Sequence, residues 1–443
     1  MAQTTDLAEL GAEQSAFFAL LREGYPLPAN AALFPLGSAQ YFGQVATNCR
    51  LANAKAGSNK GLSARNHHRA RGAVTEIAMV LPNWYVERSG AKFEYPNVAG
   101  SIVGASVEYP AGTFHRLKFD DAVRGLVPGG SYLVSDFLAL NIPDGAEFWT
   151  NIWVSAGATV IFYNGATGQV AGNGERANVG TGELPDYTLA PHTGTAQSFG
   201  FWPLALLGRT RGKATAIFGD SLGEGVGDSA DASDHVGMIA RALGNHHGYV
   251  NLSQSGDRLQ LALQSHSKRL SVLAYVRNAV SSLGLNDIGS GRSLVQVQSD
   301  MLAFWRILAS RMPAGGRVFQ TTITPSTTST DSFATLANQA PSPGFVLSGA
   351  GTRERLNDWL RDGAPIVTGV SAAPGAAAIR AGEDGHPLSA VFDVADQVES
   401  ARNSGRWKVD GTAGKWTTDG IHPSTYGYAA ISSSGVVDLF SLV

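Results

Sequence analysis

The chain has 443 residues, a formal net charge of −3 at neutral pH and a single cysteine, Cys49. That length allows two or three domains with substantial cores. The near-balanced charge gives no reason to expect a nucleic-acid partner, and one thiol excludes an intramolecular disulfide framework and a cysteine-rich zinc site. Hydrophobic content of 44% with 16% charged residues fits a soluble globular protein, and 53 glycines favour turns and short strands over long helices.

The first residues carry acids where a secretion signal would carry its positive end, and no long apolar centre follows, so no signal peptide is read. A trimmed leader would leave the compartment open: cytoplasmic as written, secreted or periplasmic otherwise. No run is long enough to cross a bilayer. Apolar residues Leu7, Leu10, Phe17, Leu20 and Leu21 predict a short amphipathic helix, stopped by Pro26 and Pro28. Residues 50–72 are rich in Lys and Arg and lack any acid, which predicts a solvated loop. A surface for an anionic polymer is the sharper alternative, weakened by the lack of interleaved aromatics. Residues 1–72 are therefore taken as an N-terminal helix and basic loop segment.

From 73 to 189 the texture changes. TEIAMVLPNWYV, SIVGASVEYP, TFHRLKF, SYLVSDFLALNI, EFWTNIWVS and TVIFYN are β-branched or aromatic runs separated by Gly, Pro, Asp and Asn. Close-spaced short strands with no helical pattern between them predict an antiparallel β-sandwich of jelly-roll type. Trp84, Tyr85, Trp149 and Trp153 are expected in its core, with a sugar-stacking platform as the lesser reading. A connector, 190–212, leads into the last part.

Across 213–443 strands and helices alternate. KATAIF, YVNLSQ, AVSSLGLND, RVFQTTITP and VFDVA read as strands. DASDHVGMIARALG reads as a helix with an Asp or Ser cap, residues 258–275 as mostly helix, and 294–312 and 352–361 as further helices. Alternation of this kind predicts a parallel sheet wrapped by helices, an α/β domain with its chemistry at the carboxyl ends of the strands.

One strand end, IFGDSLGEGVGD, sets Ser221 among Gly219, Gly223 and Gly225. A serine hydroxyl is a poor nucleophile until a base takes its proton and a further group orients that base. TTDGIHPSTYG offers both: His422, with Asp419 three residues before it. An acyl-transfer intermediate also needs oxyanion donors; Gly256 in NLSQSGD offers a backbone N–H, and Asn286 in GLNDIG a side-chain amide. Each has a plainer reading taken singly. Ser221 suits a helix cap, Gly256 a turn, Asn286 a C-cap, and His422 a surface loop.

Together, FGDSLGEG, SQSG, GLND and DGIH resemble the four ordered blocks of the SGNH (GDSL-type) hydrolases, over about 213–443. The resemblance implies a three-layer α/β/α fold with a parallel sheet. It implies Ser221 as nucleophile and first oxyanion donor, Gly256 and Asn286 as the other donors, and Asp419 and His422 as acid and base of the triad. No cofactor or metal is implied, and the histidine pairs 67–68 and 246–247 lack the spacing of a metal site. The N-terminal half lies outside this resemblance and is only weakly similar to accessory carbohydrate-binding sandwiches.

Rival readings fit less well. A dinucleotide loop would place Asp228 where the pyrophosphate should sit. The Gly-x-Ser-x-Gly elbow of α/β-hydrolases ordinarily draws acid and base from separate loops. The expected activity is serine ester hydrolysis, removing O-acetyl groups from a carbohydrate, with an acylated small molecule or polysaccharide as substrate. Lipid or aryl ester and thioester hydrolysis, or carbohydrate binding on an inactive scaffold, are the alternatives. The stretch TPSTTSTDSF and the loop onward to Gly351 are expected to line one side of the pocket. Oligomeric state is left open.

Overall fold

The computed structural model describes residues 41–443 apart from 56, 158, 232 and 346–350; the helix expected at 7–21 lies outside the described residues. Six parallel strands form the sheet of the C-terminal half. In spatial order they are Cys49–Arg50, Tyr249–Asn251, Thr215–Phe218, Asn278–Ser281, Arg317–Thr321 and Ala390–Phe392. The three central apolar runs are buried along their whole length, as strands covered on both faces must be. Thr425–Ser433 packs on Met238–Gly244 and Ala395–Val398, while Leu294–Arg311 packs on Leu259–Ala262 and Thr352–Arg361. These two helix groups are the outer layers of the α/β/α arrangement.

Leu294–Arg311 starts at a capping box: Ser293 Oγ accepts from Gln296 N, and Gln296 Oε1 accepts from Ser293 N. Its buried Val297, Met301, Phe304, Trp305 and Leu308 follow the predicted apolar spacing. The helix expected from 231 is shorter. Asp234 at φ 67° and Gly237 at φ 85° interrupt it, so it spans Met238–Gly244 and starts without a side-chain cap. Residues 258–275 likewise divide into Leu259–Ala262, Ser267–Leu270 and a 3₁₀ turn, Ser271–Tyr275.

The antiparallel half consists mainly of two sheets. One runs Tyr41–Gln44, Ala205–Thr210, Val74–Pro82 and Tyr132–Val134, with Leu138–Ile142 also pairing with Val74–Pro82. The other runs Gly125–Val127, Ser101–Glu108, Glu147–Ser155, Gly61–Arg69 and Arg176–Gly180, with Phe114–Arg116 alongside. The sandwich is therefore present, but strands from 1–72 and from the connector 190–212 complete it. Trp84 and Trp153 are buried, and half-buried Trp149 lies under the Arg65 guanidinium, 4.3 Å from its ring centre. These rings are covered by protein, so they do not form an open sugar-stacking face.

The basic segment 50–72 corrects its sequence reading most sharply. It is no solvated loop: Gly61–Arg69 is an interior strand, and Cys49–Arg50 adds the edge of the parallel sheet by pairing with Val250 and Asn251. Several of its polar residues are held inside the protein by specific partners. Arg65 Nε donates to Glu108 Oε2 at 2.7 Å, Asn66 Nδ2 donates to the Phe201 carbonyl at 2.7 Å, and His67 Nδ1 meets Asp234 Oδ2 at 2.5 Å.

His68 Nδ1 donates to the Thr47 carbonyl, and Nε2 lies 2.9 Å from Thr150 Oγ1, a hydroxyl that can donate to it when the ring is neutral. Burial pushes its pKa from 6.5 down to about 3. The unfolded histidine takes up a proton below about pH 6.5 while the folded one does not, so this group costs stability as pH falls. By pH 5 the loss is about 2 kcal/mol. His68→Gln is expected to lower stability at pH 7 but to flatten the decline between pH 7 and pH 5. Denaturant titrations at both pH values check this; equal declines in variant and wild type refute it.

Candidate active site

Three strand ends converge. After Thr215–Phe218 the chain turns at Gly219 and enters a short helix, Ser221–Glu224, whose cap Asp220 accepts from Leu222 N at 3.0 Å. Ser221 sits at the start of that helix. Gly223 has no room for a side chain: an added Cβ would press on Ser253, at the end of the neighbouring strand. Gln254 N donates to the Gly219 carbonyl at 2.9 Å, locking the two strand ends together.

The partner residues arrive from far along the chain. Asp419 Oδ1 accepts from the backbone N–H groups of Ile421 and His422 at 2.9 and 2.8 Å, which folds the D-x-x-H segment into a tight turn. Gly420, at φ 81°, lies so close to the Thr327 carbonyl that any side chain would collide with it. Thr327 N in turn donates to the Gly420 carbonyl at 2.9 Å, so the TPSTTSTDSF stretch braces this turn.

Asp419 Oδ2 is 2.6 Å from His422 Nδ1, and His422 Nε2 is 2.7 Å from Ser221 Oγ. The carboxylate only accepts, so Nδ1 carries the ring proton and Nε2 presents its lone pair to the serine hydroxyl. Partial burial works against the Asp419 charge, but the hydrogen bonds from the His422 ring and the two backbone N–H groups outweigh it. Its carboxyl is held below the usual range.

Among the described residues the backbone N–H groups of Ser221 and Gly256 have no hydrogen-bond partner. Asn286 is different. Its Nδ2 donates to Asp220 Oδ2 at 3.0 Å and to the Asp257 carbonyl at 3.1 Å. The structure thus brings all five predicted residues to one edge of the sheet, with two free donors and a third already held.

Sequence reading missed the buried acids around them. Asp220 is fully buried, and that burial together with Asp257, Asp287 and Glu224 raises its carboxyl to about 7. Glu224 Oε1 accepts from Asn53 Nδ2 at 2.6 Å, and Oε2 accepts from Ser255 Oγ. Asp257 pairs with buried Arg269 at 2.6 Å. These acids lie inside or directly beside the quoted blocks, Asp220 and Glu224 in FGDSLGEG, Asp287 in GLND and Asp257 after SQSG, but nothing local marks them as buried, and their partners Asn53 and Arg269 sit in segments with no motif of their own. Among the described residues no group of three or more His, Cys, Asp or Glu side chains is arranged to hold a metal ion. Among the same residues no helix is long and apolar enough to cross a membrane.

A parallel sheet wrapped by helices, with a serine, a histidine and an aspartate in hydrogen-bonded series at its carboxyl edge, has the constellation that serine hydrolases use for acyl transfer. Residues 217–430 match the GDSL-like Lipase/Acylhydrolase family, and the C-terminal domain of this chain is a member of that family, an SGNH-type ester hydrolase. No curated protein matches the chain. Among solved structures, a putative platelet activating factor from Streptococcus pneumonia is 20% identical, covering 50% of this chain and 81% of that one, with a TM-score of 0.31. A GDSL-like lipase from Bacteroides thetaiotaomicron is 12% identical, covering 52% and 87%, with a TM-score of 0.33. A family two carbohydrate esterase from Clostridium thermocellum is 9% identical, covering 90% and 97%, with a TM-score of 0.32.

Proposed function

We propose that the protein removes short acyl groups, acetyl above all, from the hydroxyls of a carbohydrate. Ser221 is the nucleophile, His422 the base and Asp419 the group that orients it. The observation that carries this reading is the unbroken series Asp419–His422–Ser221, at 2.6 and 2.7 Å.

His422 Nε2 takes the Ser221 proton as Oγ attacks the ester carbonyl, and the imidazolium that forms is stabilised by Asp419. The N–H groups of Ser221 and Gly256 face no competing acceptor and serve the oxyanion. Asn286 joins them by giving up, or sharing, one of the two bonds that its amide now makes. His422 then returns the proton to the departing alcohol. Water, activated by the same imidazole, releases the acid from the acyl-enzyme.

One feature favours a short acyl group on a polar alcohol: Asp419 is half exposed, so the triad opens to solvent. We further propose 213–443 as the catalytic unit and 73–189 as the core of the sandwich, with 190–212 linking them and 1–72 contributing strands to both.

A panel of p-nitrophenyl esters of rising chain length, alongside acetylated glycans, tests the substrate. The expected result is a kcat/KM that is highest for acetate, falls beyond butyrate, and is accompanied by acetate release from an acetylated glycan. A maximum at octanoate or longer would make this a lipid-ester hydrolase of the same family.

A further inference from the structure

The proposed mechanism leaves one buried ion network unused, and it crosses from one half of the chain to the other. Trp84–Val86 and Glu94–Pro96 form a two-stranded hairpin in the antiparallel half. From it Glu94 reaches the C-terminal half. Its Oε1 accepts from Arg269 N at 2.8 Å and its Oε2 from Lys268 N at 2.7 Å, while its own backbone N–H donates to Ser265 Oγ at 2.8 Å. Arg269 Nε lies 3.4 Å from Glu94 Oε1, and Arg269 Nη1 donates to Asp257 Oδ2 at 2.6 Å. All three side chains are at most 2% exposed.

Asp257 is the residue after Gly256, and its carbonyl holds the Asn286 amide at 3.1 Å. Asp287, the residue after Asn286, ties the same segments together by accepting from Leu259 N at 3.0 Å. The hairpin also lays Lys92 over Gly256: a methyl built there would meet Lys92 Cε at 3.2 Å and Nζ at 3.3 Å. Two of the three oxyanion donors are therefore held by a chain of contacts that begins in the antiparallel half.

We infer that Glu94 is a positioning residue for the oxyanion-binding groups, acting through Arg269 and Asp257 on Gly256 and Asn286. The inference rests on the proposed roles of those two residues. A buried ion network is weak evidence for stability, since desolvation offsets much of its attraction, but it fixes geometry when every member is bonded. Oxyanion donors act only when they stand at the position where charge develops, and a displacement near 1 Å from a remote change costs about 100-fold in rate.

The test is Glu94→Gln in the full chain, assayed on p-nitrophenyl acetate, with sites counted by end-point labelling with a fluorophosphonate. The expected result is a kcat per labelled site lowered about 10- to 100-fold. KM should stay within about twofold, and the labelling rate should fall in parallel with kcat. A merely structural role would lower the number of labelled sites and leave kcat per site unchanged, and that outcome overturns the inference. Should the glutamine variant not fold, Ser265→Ala decides. It removes only the acceptor of the Glu94 N–H and should lower kcat per site severalfold; an unchanged value again overturns the inference. Ser221→Ala run alongside separates the two failures. If it stays active, the assignment of the site is wrong; if it is inactive while Glu94→Gln is fully active, only the positioning role is wrong.

Discussion

Ser221→Ala is expected to remove esterase activity by about 10⁴-fold or more while leaving the fold intact. The hydroxyl is the atom that would bond to the acyl carbon, and His422 Nε2, 2.7 Å away, has no other proton to take along that path. Residual turnover would come from the oxyanion donors and from water activated by His422, as in other triads that lose one member. The structural cost is small. Alanine keeps the Cβ at the first position of the helix Ser221–Glu224, where Asp220 supplies the cap. The single hydrogen bond lost to His422 is worth about 1 kcal/mol. Circular dichroism and a thermal melt establish the fold, and initial rates on p-nitrophenyl acetate give the activity. A folded variant that keeps a tenth of the wild-type rate would leave Ser221 without its role, and the hydrogen-bonded series would be structural.

The C-terminal half was legible because its signals are local. Each strand end that carries chemistry follows a short apolar run, and the glycines beside Ser221 and His422 mark places where backbones meet closely. The helix Leu294–Arg311 announces its buried face. The antiparallel runs from 73 to 164 were legible for a similar reason, as β-branched clusters between turn residues. What stayed hidden depends on pairing at a distance. Gly61–Arg69 reads as polar, since Asn66, His67 and His68 are buried only because Phe201, Asp234, Thr47 and Thr150 receive them. Two-residue Cys49–Arg50 has no pattern of its own and is a strand because Tyr249–Asn251 offers it an edge. Asn53 on Glu224 and Glu94 on Arg269 span 171 and 175 positions of sequence, beyond the reach of any spacing argument.

Those long-range contacts reverse one expectation drawn from the motifs. All four blocks lie after Gly212, which suggests that a fragment beginning near Arg209 should hydrolyse small esters at the full rate, with the sandwich needed only to bring polymer close. The structure argues otherwise. Such a fragment loses Cys49–Arg50, leaving Tyr249–Asn251 as a bare edge two strands from the Asn278–Ser281 strand. It loses Asn53 from Glu224, Glu94 from Arg269, and His67 and Asn173 from Asp234, which sits in the segment following the serine helix. It also uncovers apolar surface, because one continuous cluster runs from Val45 and Val80 through Ile217 to Leu442. The fragment is therefore expected to aggregate, or, where it folds, to lose at least about tenfold in kcat on p-nitrophenyl acetate. Its loss on an acetylated polysaccharide should be of the same size, since the defect lies in the site and not in polymer capture. Gel filtration and a thermal melt establish the state of the fragment before either assay. A folded fragment with full kcat on the small ester and a loss confined to the polymer would restore the sandwich to a targeting role, and would place every group needed for chemistry after Arg209.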